Sequence, residues 1–460
     1  MQTTTWIGAL ALGLAVAAAG CGGEDKNDAE PRLIAGGGVS DGAIDGRVNV
    51  YVIDDDDEGP VNGAQVFIGE PGEEPIEGVT DSTGLITIDD DALEGPTTIT
   101  VVANGYVTST WFGANGANVT IPLNPDGDPA DPPQATLGGT IDAWDDLPEP
   151  AANHFLVGIV SYSQTTDLGD PANEIQQPGA GAGGLAPNMC FKATGVSECD
   201  WELISRAGTV TVFAAILDID TKGTEDGSDD TNEIVGLAYQ LDVDVQDGVD
   251  QSGLTLEQVE VGALTDVELI VDDPPSGLAD VGVIVGMYLG DSGMMMVGFT
   301  QDPEEPLTIP ELTGDFAGAE YRAFAFAGDL EDEDDDDPGS TILLRGITDL
   351  SGGIEFGEWM LLPTDIAETQ GEYSFTPVDG SALHTVGFND LQGDEVWGVA
   401  LLDGRTSFSL PPVTPDPIPS GSYDIIVQAL DGDIDLQDFA IDELIDRFDR
   451  VSSNRKTITP

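Results

Sequence analysis

Cations are scarce in this sequence. Lys and Arg together number 13 against 87 Asp and Glu, for a formal net charge of −74 at pH 7. A surface so one-sided repels phosphate, which excludes nucleic acid and anionic headgroups as ligands of the folded part. Histidine is scarcer still: His154 and His384 are the only two. They are too far apart in sequence to make a zinc motif, and each lies in an apolar, strand-like setting that favours a structural role. No HExxH, Gly-x-Ser-x-Gly or phosphate-loop pattern occurs. Without such a motif no pair can be chosen from 87 acids as a hydrolytic centre, and the chain reads as non-enzymatic. The uncharged run Trp6 to Ala17 is too short for the ~20 residues that span a bilayer.

What is present is a globular composition. Hydrophobic residues make up 40%, too many for a disordered acidic tail, and 460 residues allow about three domains. The 59 Gly and 29 Pro fit many short strands joined by turns. Acids are spread along the whole chain, which favours salt adaptation or plain solubility over a localised cation store.

Trp6 to Ala17 has the length of a secretory h-region, and Ala18-Ala19-Gly20-Cys21 follows. This resembles a bacterial lipoprotein signal. The resemblance implies removal of residues 1–20, lipidation of Cys21 and a membrane partner through that anchor, in the envelope of a Gram-negative bacterium. Gly22, where Asp would signal retention, favours the outer membrane by the same resemblance. An ordinary cleaved signal is the alternative. With Cys21 lipidated, Cys190 and Cys199 remain, and in an oxidising compartment their spacing reads as a local disulfide. Two free or metal-binding thiols are the alternative.

The segment 21–43 reads as a flexible acidic tether. From 44 to 123, β-branched runs alternate with turn signals: Arg47–Ile53, Ala64–Ile68, Leu85–Ile88, Thr98–Ala103 and Val119–Ile121. The blocks Gly59-Pro60-Val61-Asn62-Gly63-Ala64-Gln65-Val66, Val79-Thr80-Asp81-Ser82-Thr83-Gly84, Leu93-Glu94-Gly95 and Val102-Ala103-Asn104-Gly105-Tyr106 resemble a carboxypeptidase regulatory-like domain. The resemblance implies a prealbumin-like β-sandwich that acts as a non-catalytic scaffold or binding module. A Pro-rich linker, 124–134, leads to a second sandwich over 135–273, and a third β-rich region fills 276–460. The expected class is all-β, tandem antiparallel sandwiches with one short helix over 436–448, where Phe439, Leu444, Ile445 and Phe448 share a face.

One loop suggests a ligand. From Asp218 to Asp229, carboxylates stand at loop positions 1, 3, 9 and 12 (Asp218, Asp220, Asp226 and Asp229), with Gly223 at position 6. That spacing resembles a calcium loop and makes Ca2+ the one candidate cofactor. Lys222 stands where a ligand belongs, and a solvated acidic turn is the alternative. Trp111, Trp144, Trp201, Trp359 and Trp397 are read first as core and second as a stacking surface for a glycan. The expectation is an exported, lipid-anchored envelope protein with a non-catalytic structural or binding role and a protein or glycan partner; a carbohydrate-binding or adhesive surface module is the alternative, with a secreted hydrolase behind it.

Overall fold

In the computed structural model the described residues are 37–55, 59–126, 133–163, 186–192, 196–223, 231–259, 264–289, 294–312, 316–328, 338–440 and 447–459. The class is all-β, built on one sheet of twelve strands. Its order is Met294–Thr300, Asp280–Tyr288, Glu320–Gly328, Gly339–Ile347, Phe448–Ile458, Tyr423–Gly432, Leu383–Asn389, Glu395–Leu401, Thr108–Ala114, Thr97–Val102, Gln65–Ile68 and Ile76–Val79. Strands from residues 65–114 and 280–458 therefore share one hydrogen-bonded ladder. Two pairings make it continuous. Glu395–Leu401 runs parallel to Thr108–Ala114, with Trp397 opposite Thr108. Phe448–Ile458 lies antiparallel to both Gly339–Ile347 and Tyr423–Gly432, so it joins the two halves.

Burial on both faces follows from the period of two along a strand. Trp111 and Phe112 are neighbours in sequence, and each enters a different core. On Trp111's side a five-stranded sheet covers the twelve-stranded one. Its order is Phe439–Ala440, Gly38–Ser40, Asn118–Leu123, Asp45–Asp54 and Leu85–Glu94. Val48, Val50 and Val52 alternate inward from it against Val66, Ile99 and Val101. Leu383, Leu430, Phe439, Phe448 and Val451 complete this core, so residues 44–123 do not fill it by themselves. On Phe112's side lies a small sheet of Thr364–Thr369, Glu372–Thr376 and Ser407–Phe408. It supplies Tyr373, Phe375 and Phe408 to an aromatic core with Phe388, Trp397 and Tyr423. Tyr373 and Phe388 meet edge to face at 4.9 Å.

Residues 134–259 form a separate seven-stranded sheet, ordered Met189–Lys192, His154–Ser163, Gly208–Asp220, Thr231–Val245, Gln251–Val259, Gln134–Ile141 and Asp200–Arg206. Leu137, Trp144, Val160, Trp201, Val212 and Cys199 fill its interior. Phe213 and Leu237 face out from it and pack with Val283, Met295 and Val297 of the twelve-stranded sheet.

Two expectations are corrected. The helix over 436–448 is not formed at its ends. Phe439–Ala440 is a strand and Phe448 opens another, while 441–446 lie outside the described residues. Tertiary burial decides the matter: Phe439 stacks on Trp111 with ring centroids 6.3 Å apart, and Phe448 is buried in the same core. Just before them Asp435 closes a tight turn, its Oδ1 accepting from the Gln437 N–H at 3.0 Å. The end of the tether is also structured. Gly38–Ser40 is a strand between Asn118–Leu123 and Phe439–Ala440, with Val39 fully buried. Gly38 has φ +140°, and a Cβ there would run into the Phe439 carbonyl, so the close approach requires glycine.

Candidate functional site

The acidic loop is positioned by a long hairpin. Asp218 and Asp220 end the strand Gly208–Asp220, which pairs with His154–Ser163 so that His154 stands opposite Asp220. His154 Nδ1 is 3.0 Å from Asp218 Oδ1, and its Nε2 is 3.6 Å from Asp220 Oδ2. Lys222 donates to Asp220 twice, from its backbone N–H at 2.9 Å and from Nζ at 2.8 Å. Those two hydrogen bonds hold the Asp220 carboxyl below the usual carboxylate range, the Nζ bond most strongly. Gly223 has the positive φ (71°) that a sharply turned loop needs at that point. Asp226 and Asp229 lie outside the described residues. Among the described residues no group of three or more His, Cys, Asp or Glu is placed to hold a metal ion. A calcium ion at Asp218 and Asp220 would have to displace Lys222 and the imidazole. Thermal melts with calcium and with chelator check this. A calcium-dependent rise that disappears in Asp220→Ala supports the ion, and superimposable melts leave the loop as an acidic turn.

Much of the remaining acidity serves turns in the same way. Asp81 Oδ1 accepts from the Thr83 N–H at 2.8 Å, Asp349 Oδ1 from Ser351 at 2.9 Å, and Asp390 Oδ1 from Gln392 at 2.7 Å. These bonds to Thr83 and Ser351 lower the Asp81 and Asp349 carboxyls. An aspartate two residues before a turn amide replaces a backbone acceptor, which accounts for Asp at such positions without a ligand.

His384 has a hydroxyl beside it: Ser381 Oγ lies 3.3 Å from Nε2. Its chemistry is that of a packed core residue. Nε2 also accepts from the Val378 N–H at 3.3 Å, so the lone pair is engaged, and Ser381 Oγ donates to the Val378 carbonyl at 2.8 Å. Burial pushes the imidazole from its ordinary 6.5 down to about 4, keeping it neutral. The folded state therefore resists a proton that the unfolded chain accepts once pH drops below about 6.5. Stability contributed by the neutral ring falls between pH 6.5 and about 4 and is constant below that. The expected difference in that window between wild type and His384→Gln, which keeps an acceptor for Val378, is on the order of 2 kcal/mol in urea unfolding. Parallel pH profiles would contradict it.

The five tryptophans among the described residues are core. Trp111, Trp144, Trp201, Trp359 and Trp397 are all buried, so none offers an open face to a sugar. Trp397 is the most informative. Its Nε1–H donates to Thr110 Oγ1 at 3.0 Å across the parallel pairing of Glu395–Leu401 with Thr108–Ala114. Sequence reasoning did not find this junction, which also carries a charged cluster. Arg405 bridges Glu70 (3.1 Å) and Asp403 (2.6 Å) and lies 4.3 Å above the Phe112 ring. Burial alone would raise both carboxyls, but the hydrogen bonds and charge of Arg405 outweigh it and hold them below their usual range. Their stabilisation is present above the ordinary carboxylate range and is lost as pH falls through the lowered values. Arg405→Ala is expected to cost about 1–2 kcal/mol at neutral pH, and less at acid pH. At Gly113 (φ +78°) a Cβ would come within 2.5 Å of Asp403 Cβ, so the two stretches meet backbone to backbone.

Cys190 and Cys199 form a disulfide, with Cα atoms 5.4 Å apart.

No known family matches the chain, and no curated protein matches it. Solved structures give faint likenesses. The Bacillus anthracis TIE protein is 10% identical over 69% of this chain and 48% of its own, with a TM-score of 0.15. The shaft pilin SpaA of Lactobacillus rhamnosus GG is 12% identical over 48% of this chain and all of its own, also at 0.15. The major pilin subunit BcpA of Bacillus cereus is 11% identical over 61% and 87%, again at 0.15. The chain spans about half the length of the TIE protein. At these scores no role is carried over from them.

Proposed function

We propose that this chain is an exported, lipid-anchored, non-catalytic protein of the cell envelope: a stiff all-β spacer held at its N-terminal end by Cys21. The observation that carries the reading is the unbroken twelve-stranded sheet, which binds residues 65–114 to 280–458 in one ladder. Such a ladder packs the two segments as one unit rather than as domains joined by a linker. Export is supported by the disulfide, which persists in oxidising compartments, and by the signal-like run ending at Cys21. The resemblance of 44–123 to a carboxypeptidase regulatory-like domain supports a scaffold role. The histidines fit it too, His384 as a packed acceptor and His154 between two strand-end aspartates. With Trp111, Trp144, Trp201, Trp359 and Trp397 buried, the partner we propose is a protein rather than a glycan. Cells making the full chain and fed labelled palmitate should incorporate label, and Cys21→Ala should abolish it. An unlabelled wild-type protein would remove the anchor from this reading.

A further inference from the structure

The two ends of the twelve-stranded sheet differ. Met294–Thr300 abuts other structure: the Met294 N–H donates to Ser163 Oγ of the seven-stranded sheet at 3.2 Å, and a Cβ on Gly298 would meet Leu307 and Ile309. Ile76–Val79, at the opposite end, pairs with Gln65–Ile68 and with no other strand among the described residues. The bonds beside it fix which of its backbone groups face away. The Thr80 N–H donates to the Ala64 carbonyl at 3.0 Å, one step beyond the register pair Val79 with Gln65. Residues of an antiparallel strand alternate between bonding to the partner and facing away from it. Gly78 and Ile76 therefore bond inward like Thr80, and Glu77 and Val79 turn their N–H and C=O groups outward. The next pairing agrees. The Gly69 N–H donates to the Thr98 carbonyl at 3.0 Å, so Gln65 and Phe67 bond to Thr97–Val102 rather than to Ile76–Val79. The side chains at this edge are open as well. Val79 is 58% exposed, and Glu73, Glu74, Glu77 and Asp81 are exposed around it.

We propose that this end of the ladder is a docking edge for an extended basic segment of a partner protein, which adds to Ile76–Val79 as a further strand. The inference deepens the proposed function and rests on its choice of a protein partner. Outward N–H and C=O groups are the template for strand addition, and the alternating side chains of the added strand supply selectivity. Charge selects the occupant. A second copy of this chain would set Glu77 and its acidic neighbours against themselves, which opposes self-pairing. A segment with Lys or Arg at alternate positions presents them all on one face. That face places its charges beside Glu77 and its aliphatic stems along Val79.

The test offers the full chain two short peptides of equal length, one alternating Lys with Thr and the other Glu with Thr, and reads affinity together with hydrogen exchange by mass spectrometry. The Lys peptide is expected to bind and to slow exchange at least about tenfold over 76–79, with 423–432 unchanged; the Glu peptide should do neither. Val79→Pro removes an outward N–H and spares the bonds to Gln65–Ile68, so it should weaken the Lys peptide about tenfold. Unchanged protection of 423–432 verifies that this variant is folded. Glu77→Lys, at an exposed position, should weaken the Lys peptide by reversing the local charge. Absence of binding would overturn the proposal. So would binding that leaves 76–79 unprotected, or that both variants leave unchanged, because the acidic surface as a whole would then account for it. Protection of 76–79 that needs no peptide and grows with protein concentration would assign the edge to a second copy and would equally overturn it. None of these outcomes depends on the lipid anchor, which the palmitate experiment tests separately.

Discussion

Lowering the salt concentration is expected to destabilise this protein more than almost any single substitution. The net charge of −74 belongs to a chain with only 13 Lys and Arg, several of which are already committed among the described residues. Arg405 serves Glu70 and Asp403, Arg450 serves Asp431, Arg455 serves Asp424, and Lys222 serves Asp220. The remaining carboxylates repel one another over a distance set by the Debye length, about 10 Å at 0.1 M salt and 3 Å at 1 M. Unfolding relieves that repulsion by moving the charges apart. Salt removes the incentive, so the melting temperature should rise on the order of 10 °C between about 0.05 M and 2 M sodium chloride. Screening depends on ionic strength and little on which monovalent cation supplies it. Sodium, potassium and tetramethylammonium chlorides should therefore give nearly the same curve. A melting temperature flat in salt would mean that the acidic surface costs the fold little. A rise confined to one cation would mean bound ions rather than screening.

The second large effect belongs to Trp397. Its side chain is almost fully buried where the Glu395–Leu401 and Thr108–Ala114 strands run parallel. It packs in the aromatic core with Phe112, Phe388 and Tyr423. Its N–H reaches Thr110 Oγ1, which also lies 2.9 Å from Thr100 Oγ1. Trp397→Ala removes a large core side chain and leaves a cavity, a change that typically costs 3–5 kcal/mol; about 4 kcal/mol is expected here. Trp397→Phe keeps most of the ring and loses chiefly the hydrogen bond, so about 1–2 kcal/mol is expected. The denaturant midpoint should fall in that order with the slope unchanged. A Trp397→Ala midpoint close to wild type would show that the junction contributes little.

Local chemistry made much of this legible in advance. The alternation Val48, Val50, Val52 reads as one buried face, and those three are fully buried. The turn signals between the β-branched runs of 44–123 mark turns in the fold: Asp81 closes the one at Asp81 to Gly84, and Gly63 and Gly84 have positive φ. The cysteine pair was legible from spacing and compartment. The pairing of Thr108–Ala114 was not. A strand buried on both faces lacks alternation, and a parallel partner nearly three hundred residues away leaves no local trace. The apolar face over Phe439 to Phe448 misled for the same reason. Helical spacing recorded which residues are apolar, but the partners that bury Phe439 and Phe448, Trp111 and its neighbours, belong to distant sequence. Near the acidic loop, His154 is far from Asp218 in sequence, so only the strand pairing brings them together.

The central claim is that residues 65–114 and 280–458 form one ladder and unfold as one. Native-state hydrogen exchange in increasing denaturant tests it directly. The amides of Thr108–Ala114 should open with the same free energy and denaturant slope as those of Glu395–Leu401 and Tyr423–Gly432. Exchange of Thr108–Ala114 in a separate, lower-energy step, with the other two strands still protected, would contradict it.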